Sequence, residues 1–248
     1  MDKKYWVPSL DKAHHILELI AAEPYALRLI DISQRLSIHK SSMFSLLHTM
    51  EELRWVERDK GDTYGLGSFL APLGSVYFRQ FDLVSQFHHE ASNVKERIGE
   101  TLQLAKLEGN QVLYLAKEEA VSPVKLTSEP GMKLPAHATG LGLSLLSTLS
   151  NSDLLLLYPE EQLQTMTPNT ISTRTELLSR LLSIQQDGYA LDLQEAVIGF
   201  SCVAAPIRGA SGEAIGAVSC SMPQHHWADK LELAQEEICK LAQRLSLY

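Results

Sequence analysis

Three short amphipathic helical segments follow one another in residues 10–53, with tight connections between them. The first has apolar residues at three- and four-residue steps and must end before Pro24. The second is shorter, and the dipeptide Ser37-Ile38 separates it from the third. The apolar positions of the three segments are Leu10, Ala13, Ile16, Leu17, Ile20; Leu29, Ile32, Leu36; and Met43, Leu46, Leu47, Met50. Two short helices joined by so short a link predict a helix-turn-helix.

A hairpin signal comes directly after these helices. The tetrapeptide Asp59-Lys60-Gly61-Asp62 separates two short runs of strand-forming residues, Trp55 to Arg58 and Thr63 to Leu66. A hairpin behind a helix-turn-helix is a wing. The sequence therefore predicts a winged helix-turn-helix domain over residues 1–66.

The third helix begins with small hydroxylated and basic residues. This third helix is the second helix of the predicted helix-turn-helix, which enters the major groove of DNA by its N-terminal end. There such side chains reach phosphates and base edges. The partner expected for this domain is therefore double-stranded operator DNA. We expect the DNA contacts to come from Arg28, His39, Lys40, Ser41, Ser42, Ser45 and Lys60.

The charge of the chain leaves an alternative open. Its net charge is −8, so DNA binding must come from a local patch and not from the overall field. Residues 1–66 carry nine Lys and Arg against ten Asp and Glu. Because Glu51, Glu52 and Glu57 add negative charge there, the winged domain could instead serve a sensor-containing protein-interaction module that does not bind DNA.

The remaining residues predict a helical linker over 67–82 and an α+β domain over 83–248. Beyond residue 100 the apolar period changes from that of a helix to that of a strand. The predicted strands are Thr101 to Leu107, Val112 to Lys117, Ala190 to Leu193, Ser201 to Ile207 and Ala214 to Met222. The predicted helices are Thr139 to Leu149, Thr173 to Asp187 and Ala228 to Leu245. We expect a sensor-like, GAF/PAS-like domain with helices on one side of the sheet.

Motifs in both domains resemble the IclR family of bacterial transcriptional regulators. Besides the winged unit they are Gly131, PAHATGLG at 135–142, GYALD at 188–192 and EAVIGFSCVAAP at 195–206. The resemblance implies an operator-binding homodimer or homotetramer, more often a repressor than an activator. It also implies that the C-terminal domain binds a small carboxylate effector.

Matched positions assign the effector site, as implied by the resemblance, to Gly140, Leu141, Asp192, Phe200, Cys202, Ser219 and Ser221. The chemistry of these residues agrees with that assignment. A helix start at Thr139 to Leu141 would offer N–H groups to a carboxylate, and Ser219 and Ser221 would share one face of a strand. Asp192 would repel an anion unless it met a hydroxyl or amine group or became protonated. It therefore indicates a hydroxylated or hydrated acid.

The chain also departs from the pattern of the family. Ser45 stands where an arginine is usual on the recognition helix, and Leu143 stands where a lysine is usual near the pocket. Ser37 and Arg54 occupy positions where glycine is usual. A residue other than glycine with a positive φ costs on the order of 1 kcal/mol, so these two positions are expected to be strained.

Other classes of function are disfavoured by the sequence. His137, Cys202 and Asp192 lack the surroundings of a known nucleophile motif, so we expect no enzyme and no cofactor. The paired histidines point in different directions along a helix or strand, so we expect no metal site. Three cysteines and the lack of a secretory signal or an apolar span indicate a cytoplasmic protein with free thiols.

Overall fold

The computed structural model describes residues 6–79, 82–122, 126 and 128–246. The chain forms two compact units, Met1–Gln80 and Phe81–Tyr248. The expected linker at 67–82 includes residues 80 and 81, which lie outside the described residues. Residues 70–79 of that linker are helical.

The first unit contains the helices and hairpin that the sequence predicts. Its elements are α1 (Pro8–Ala22), α2 (Leu29–Arg35), α3 (Lys40–Glu52), β1 (Val56–Arg58), β2 (Tyr64–Leu66) and α4 (Leu70–Arg79). Except for Leu10, which is exposed, the predicted apolar stripes of the first three helices meet in one core, where Ile16, Ile32 and Leu47 are fully buried. The two strands are antiparallel. The N–H of Tyr64 also donates to the carbonyl of Leu27, which ties the wing to the segment before α2.

The expected backbone strain is present at the ends of α2 and α3. Ser37 has a φ of 52° and Arg54 a φ of 57°. Both residues lie just beyond the end of a helix, where the chain must turn through a left-handed conformation. Both deviations from glycine therefore fall where glycine has a conformational advantage.

The second unit is a six-stranded antiparallel sheet with helices. Its elements are α5 (Asp82–Ile98), β3 (Thr101–Glu108), β4 (Gln111–Glu118), β5 (Lys133–Pro135), α6 (Gly140–Leu146), α7 (Asn151–Leu157), α8 (Arg174–Asp187), β6 (Ala190–Leu193), β7 (Phe200–Arg208), β8 (Ala214–Pro223) and α9 (Gln224–Leu245). The strand order is β5-β4-β3-β8-β7-β6. The α+β class and all five predicted strands are confirmed, whereas β5 and α7 were not predicted.

Helices cover both faces of this sheet, so the expectation of helices on one side was wrong. Along β8, Ser219 and Ser221 face the cavity beside α6, whereas Cys220 faces Lys230 on α9. The helix α5 packs against α9 on that second side. The sequence carried a signal for helices on both faces. Residues 202–205 in β7 are all apolar, and strands buried on both faces lack the alternation of polar and apolar residues.

Candidate nucleic-acid interface and ligand cavity

The first turn of α3 is exposed and carries no acidic residue. His39 precedes the helix without capping it by a side-chain hydrogen bond, and Lys40, Ser41 and Ser42 follow. No ion pair involves Lys40 within the described part of the chain. The N–H groups of such a turn and the positive end of the helix dipole favour a phosphate. The arrangement is thus suited to an anion.

The other expected DNA contacts are exposed as well. Arg28 directly precedes α2, and Lys60 lies at the tip of the wing. The side chain of Asp59 accepts hydrogen bonds from the N–H groups of Gly61 (2.9 Å) and Thr63 (2.8 Å). Both bonds lower the pKa of Asp59, and the bond from Thr63 has the larger effect. They also order the turn that presents Lys60. Ser45 is exposed, but its hydroxyl donates to the carbonyl of Ser41 at 3.2 Å.

A groove between α3, the start of α2 and the wing adds residues that the sequence reasoning missed. Its lining includes Arg28, Lys40, Phe44, His48 and Arg58. Arg58 is within 3.5 Å of Glu51 and 3.3 Å of Asp62. Its charge is therefore balanced inside the unit. The signal for Phe44 was available, since it falls outside the apolar stripe of its helix.

A cavity of about 180 Å³ opens between α6 and the sheet in the second unit. The strand registers bring polar side chains together there, since Asp192 is opposite Cys202, Cys202 opposite Ser221, and Ser219 opposite Gln103. All seven residues of the expected effector site line this one cavity: Gly140, Leu141, Asp192, Phe200, Cys202, Ser219 and Ser221. The lining also contains Thr139, which the sequence placed at the helix start, and Gln103, Tyr114 and Ser128, which the sequence reasoning did not include.

Asp192 is the ionisable carboxyl group of this lining, and it is 5% exposed. Burial raises its pKa to about 6, against hydrogen bonds from the N–H groups of Glu195, Ala196 and Gly140 that favour the charged form. The bond from Glu195 is 2.6 Å long. Asp192 can therefore be charged or neutral near physiological pH. In neither form does it face a Lys or Arg among the described lining residues.

The two serines of β8 differ in their hydrogen bonding. Ser221 Oγ donates to Gln103 Oε1 at 3.1 Å, and Gln103 in turn donates to Ser128. Ser219 is fully buried, and its hydroxyl has no partner among the described residues. An unpartnered buried hydroxyl is costly. Because Ser219 lines the cavity, a ligand there would be able to supply the missing hydrogen bond.

The start of α6 offers fewer free N–H groups than expected. The N–H of Thr139 donates to the carbonyl of Ala136 at 3.4 Å, and the N–H of Gly142 to Thr139 Oγ1 at 3.0 Å. The N–H of Gly140 donates to Asp192. The expectation that residues 139–141 all present free N–H groups was therefore wrong, because the helix start caps itself. Among the described residues, the N–H of Leu141 has no acceptor.

Gly140 allows α6 to approach the sheet closely. A Cβ atom added there would lie 2.5 Å from Cys202 Sγ and 3.4 Å from Asp192 Cβ. A larger residue would therefore press into the cavity or push the helix away. Close packing, and not the backbone φ, therefore explains why residue 140 is a glycine.

Of the three groups considered for catalysis, Asp192 and Cys202 lie together, but His137 does not join them. His137 Nε2 donates to the carbonyl of Gln164 at 2.8 Å, and the ring packs against Tyr158; His137 does not line the cavity. Burial first, and then the charge of Asp192, raise the pKa of Cys202 well above its usual value, so its thiol is a poor nucleophile. Within the described residues, no cluster of His, Cys, Asp or Glu could hold a metal ion.

Comparison with known families identifies the chain. The model described as "IclR helix-turn-helix domain" matches residues 9–60, and that described as "Bacterial transcriptional regulator IclR C-terminal" matches residues 75–247. The chain belongs to the IclR family. It is therefore a DNA-binding transcriptional regulator and not an enzyme. The alternative of an interaction module without DNA binding is accordingly set aside.

Curated relatives agree with this assignment. The chain is 31% identical to the HTH-type transcriptional regulator XynR of Escherichia coli, over 87% of the chain and 86% of that protein. It is also 31% identical to BhcR of Paracoccus denitrificans, over 97% and 86%. The HTH-type transcriptional repressor AllR of Escherichia coli is 28% identical over 94% and 86%.

Solved structures share the fold. The Thermotoga maritima IclR is 27% identical with a TM-score of 0.74, covering 96% of this chain and 99% of that one. An IclR homologue from Microbacterium hydrocarbonoxydans, solved as a complex with 4-hydroxybenzoate, is 23% identical with a TM-score of 0.81, covering 96% and 98%.

In the described part of the chain, no helix has the length and apolar character that crossing a membrane requires.

Proposed function

We propose that this IclR-family regulator is a repressor and that a small organic acid bound in the cavity of the second unit changes its affinity for operator DNA. The repressor AllR, at 28% identity, supports the direction of regulation. The observation that carries the proposal is the cavity itself, where Asp192 faces the same space as Ser219, whose hydroxyl has no partner among the described residues. We further propose that the chain acts as a homodimer or homotetramer, in the cytoplasm where the chromosome lies.

The proposed DNA contacts are the exposed residues of the first unit. The first turn of α3 enters the major groove and binds phosphates and base edges, while Lys60 on the wing and Arg28 bind the phosphate backbone. These side chains are Arg28, His39, Lys40, Ser41, Ser42, Ser45 and Lys60. Arg58 is excluded because Glu51 and Asp62 already balance its charge.

The proposed effector is an acid that also carries a hydroxyl group or a hydrated carbonyl. Its carboxylate accepts from Ser219, from the N–H of Leu141 and from Ser221, whose hydroxyl turns from Gln103 to the ligand, while its own hydroxyl donates to Asp192. The seven proposed contacts are Gly140, Leu141, Asp192, Phe200, Cys202, Ser219 and Ser221. A carboxylate without such a donor would repel charged Asp192, so a simple acid should bind only when Asp192 is protonated. The 4-hydroxybenzoate in the Microbacterium structure is a hydroxylated acid of this chemical kind.

The DNA half of the proposal is tested with the lysine at the start of α3. The slope of log K against log salt is negative, and removing one phosphate contact reduces its magnitude by about 0.9. We therefore expect Lys40→Ala to weaken binding to all duplexes and to reduce the slope by about one per chain. Fluorescence anisotropy with DNA from upstream of the gene, at several salt concentrations, measures both quantities.

The matched control for that experiment lies in the second unit. Lys240, on the exposed face of α9, pairs with Glu236, so Lys240→Ala changes the net charge equally. It should leave affinity and slope as they are. If Lys40→Ala behaved like Lys240→Ala, the docking proposed for α3 would be wrong.

The effector half is tested by calorimetric titration of small carboxylates, with and without a hydroxyl group. Ser219→Ala and Ser221→Ala should each weaken binding of an acid about tenfold, the effect of losing one hydrogen bond to a charged group. Asp192→Asn should improve binding of simple acids and weaken that of hydroxy acids. Ser211→Ala, in an exposed turn, is the control. Tight binding that none of the cavity variants altered would reject the proposed site.

A further inference from the structure

An aromatic side chain stands exposed on α3. Phe44 is 61% exposed, whereas Met43 and Leu47 on the opposite side of the same helix are fully buried in the core. Phe44 therefore contributes little to the packing of the unit. A large apolar side chain exposed to this extent is more informative than a buried one, because it indicates a surface that a partner covers.

The surroundings of Phe44 are basic and aromatic. Lys40 lies four residues before it and His48 four residues after it, so the three form one row along the helix. The rings of Phe44 and His48 are nearly parallel, with centroids 6.1 Å apart. The row borders a groove that also contains Arg28, while the charge of Arg58 in that groove is balanced by Glu51 and Asp62. An apolar ring beside Lys40 and Arg28 fits an anionic partner that has an apolar group of its own.

The neighbouring row of the helix is narrow and polar. It consists of Ser41, Ser45 and Thr49, which are all small. Ser45 Oγ donates to the carbonyl of Ser41 at 3.2 Å, and Thr49 Oγ1 donates to the carbonyl of Ser45 at 2.8 Å. These hydroxyls turn back onto the helix, so this row presents no large side chain. Between residues 40 and 52, Phe44 is the large apolar side chain that α3 presents to solvent.

In the major groove of DNA, the C5 methyl group of thymine is the apolar feature that distinguishes one base from another, and phenylalanine is among the side chains that contact it. We propose that Phe44 is a specificity-determining residue that packs against thymine methyl groups in the operator. The inference rests on the proposed function, since it requires α3 to enter the major groove. It explains how a recognition helix with Ser45 in place of an arginine can still select a sequence.

The test uses the full-length chain and DNA that the chain itself selects. Duplexes are enriched from a random library, and each thymine of the enriched site is then replaced by deoxyuridine, which lacks only the methyl group. We expect wild-type affinity to fall about fourfold at one or more positions, the factor that corresponds to burying one methyl group. The Phe44→Ala variant should bind the thymine duplex more weakly and show no further loss with deoxyuridine at those positions.

Two other variants separate this effect from general weakening. Phe44→Leu keeps an apolar contact, so it should keep the sensitivity to deoxyuridine. Lys40→Ala should weaken all duplexes and keep that sensitivity as well. Because Phe44 is exposed, the thermal midpoint of Phe44→Ala should match that of the wild type, which excludes misfolding as the cause.

The possible failures are distinct. If no sequence were enriched, sequence-specific binding by α3 would be wrong, and the inference about Phe44 with it. If a sequence were enriched but deoxyuridine had no effect at any position, the operator would be bound without contact to thymine methyl groups. If deoxyuridine weakened Phe44→Ala and wild type equally, another residue would make the contact. Each of the last two results overturns the inference and leaves operator binding in place.

Discussion

Two buried carboxyl groups lie close together at the end of β6, and both keep a proton more tightly than usual. Burial raises the pKa of Asp192 to about 6. Burial first, and then the charge of Asp192, raise the pKa of Glu195 to about 7. One oxygen of Glu195 has no hydrogen-bond partner among the described residues. The charged form of Glu195 is therefore poorly accommodated, and in the folded protein its neutral form is favoured below about pH 7.

This pKa gives the stability of the protein a defined dependence on pH. The folded state holds the proton of Glu195 up to about pH 7, while the unfolded state loses it near the ordinary value of 4.5. The stability that this carboxyl contributes is therefore complete below pH 4.5 and is lost as the pH rises to 7. The difference between the two values corresponds to about 3 kcal/mol.

We expect Glu195→Gln to remove this dependence, since glutamine stays neutral. The variant should gain stability over the wild type between pH 4.5 and pH 7, by up to about 3 kcal/mol. Urea unfolding at pH 5 and pH 8 measures the gain, and Glu160→Gln, at an exposed position, is the control. An equal difference between variant and wild type at both pH values would contradict the assignment.

At the scale of the element, α2 and α3 end in the same way. After α2, the N–H of Ser37 donates to Gln34 and the N–H of Ile38 to Ser33. After α3, the N–H of Arg54 donates to Glu51 and the N–H of Trp55 to Met50. Each pair of bonds is a Schellman motif, which requires one residue with a positive φ. In these two motifs that residue is Ser37 or Arg54, and neither is a glycine.

Glycine at these two positions should stabilise the winged unit. Ser37→Gly and Arg54→Gly each relieve the left-handed strain, and the greater freedom of glycine in the unfolded chain offsets part of the gain. We expect about 0.5–1 kcal/mol for each substitution, measured as a rise in the free energy of unfolding.

The converse substitution is available at the end of α8. Gly188 has a φ of 80° and no atom within 4 Å of an added Cβ. Gly188→Ser should therefore destabilise by a similar amount through backbone strain alone. If Ser37→Gly and Gly188→Ser changed stability in the same direction, strain would not be the cause.

These elements show how far the sequence predicts the fold. Apolar periodicity and glycine positions place all three winged-unit helices, the wing and the long strands. The strand β5 was missed because it has three residues and, unlike β1 and β2, is not joined to its partner strand by a short turn. The helix α7 has a cap from Ser150 to the N–H of Asp153, but its four consecutive leucines, 154–157, show no helical period.

The cavity was less accessible to sequence reasoning. Its seven expected residues come from segments far apart in the chain, and the resemblance to the family grouped them, not their spacing. Gln103 enters through the pairing of β3 with β8, a register that no local pattern gives. The self-capped start of α6 was also missed, because Thr139 could be read as the first helical residue as easily as the cap that it is.

At the scale of the whole molecule, the negative charge lies mainly in the second unit. Residues 1–66 contribute −1 to the net charge of −8. The field of the chain as a whole therefore opposes DNA. Operator binding must come from the few free cations of the winged unit, and three phosphate contacts from Arg28, Lys40 and Lys60 would give a salt slope of about −3 per chain.

The proposed DNA contacts and the proposed effector contacts lie in different units, so regulation requires a coupling free energy between them. Linkage makes that coupling reciprocal. If a bound acid weakens operator binding tenfold, operator DNA must weaken binding of the acid tenfold, which corresponds to about 1.4 kcal/mol. Calorimetric titration of the acid, with and without saturating operator, measures the second factor independently of the first.

Gly140→Ala should separate the two activities. Its added Cβ would lie 2.5 Å from Cys202 Sγ, so the variant should lose the acid while its winged unit is unchanged. We expect wild-type operator affinity that no longer responds to the acid, which in a reporter strain gives repression that cannot be relieved. An operator response that survived in Gly140→Ala, with the acid no longer bound in the cavity, would show that regulation enters the molecule elsewhere.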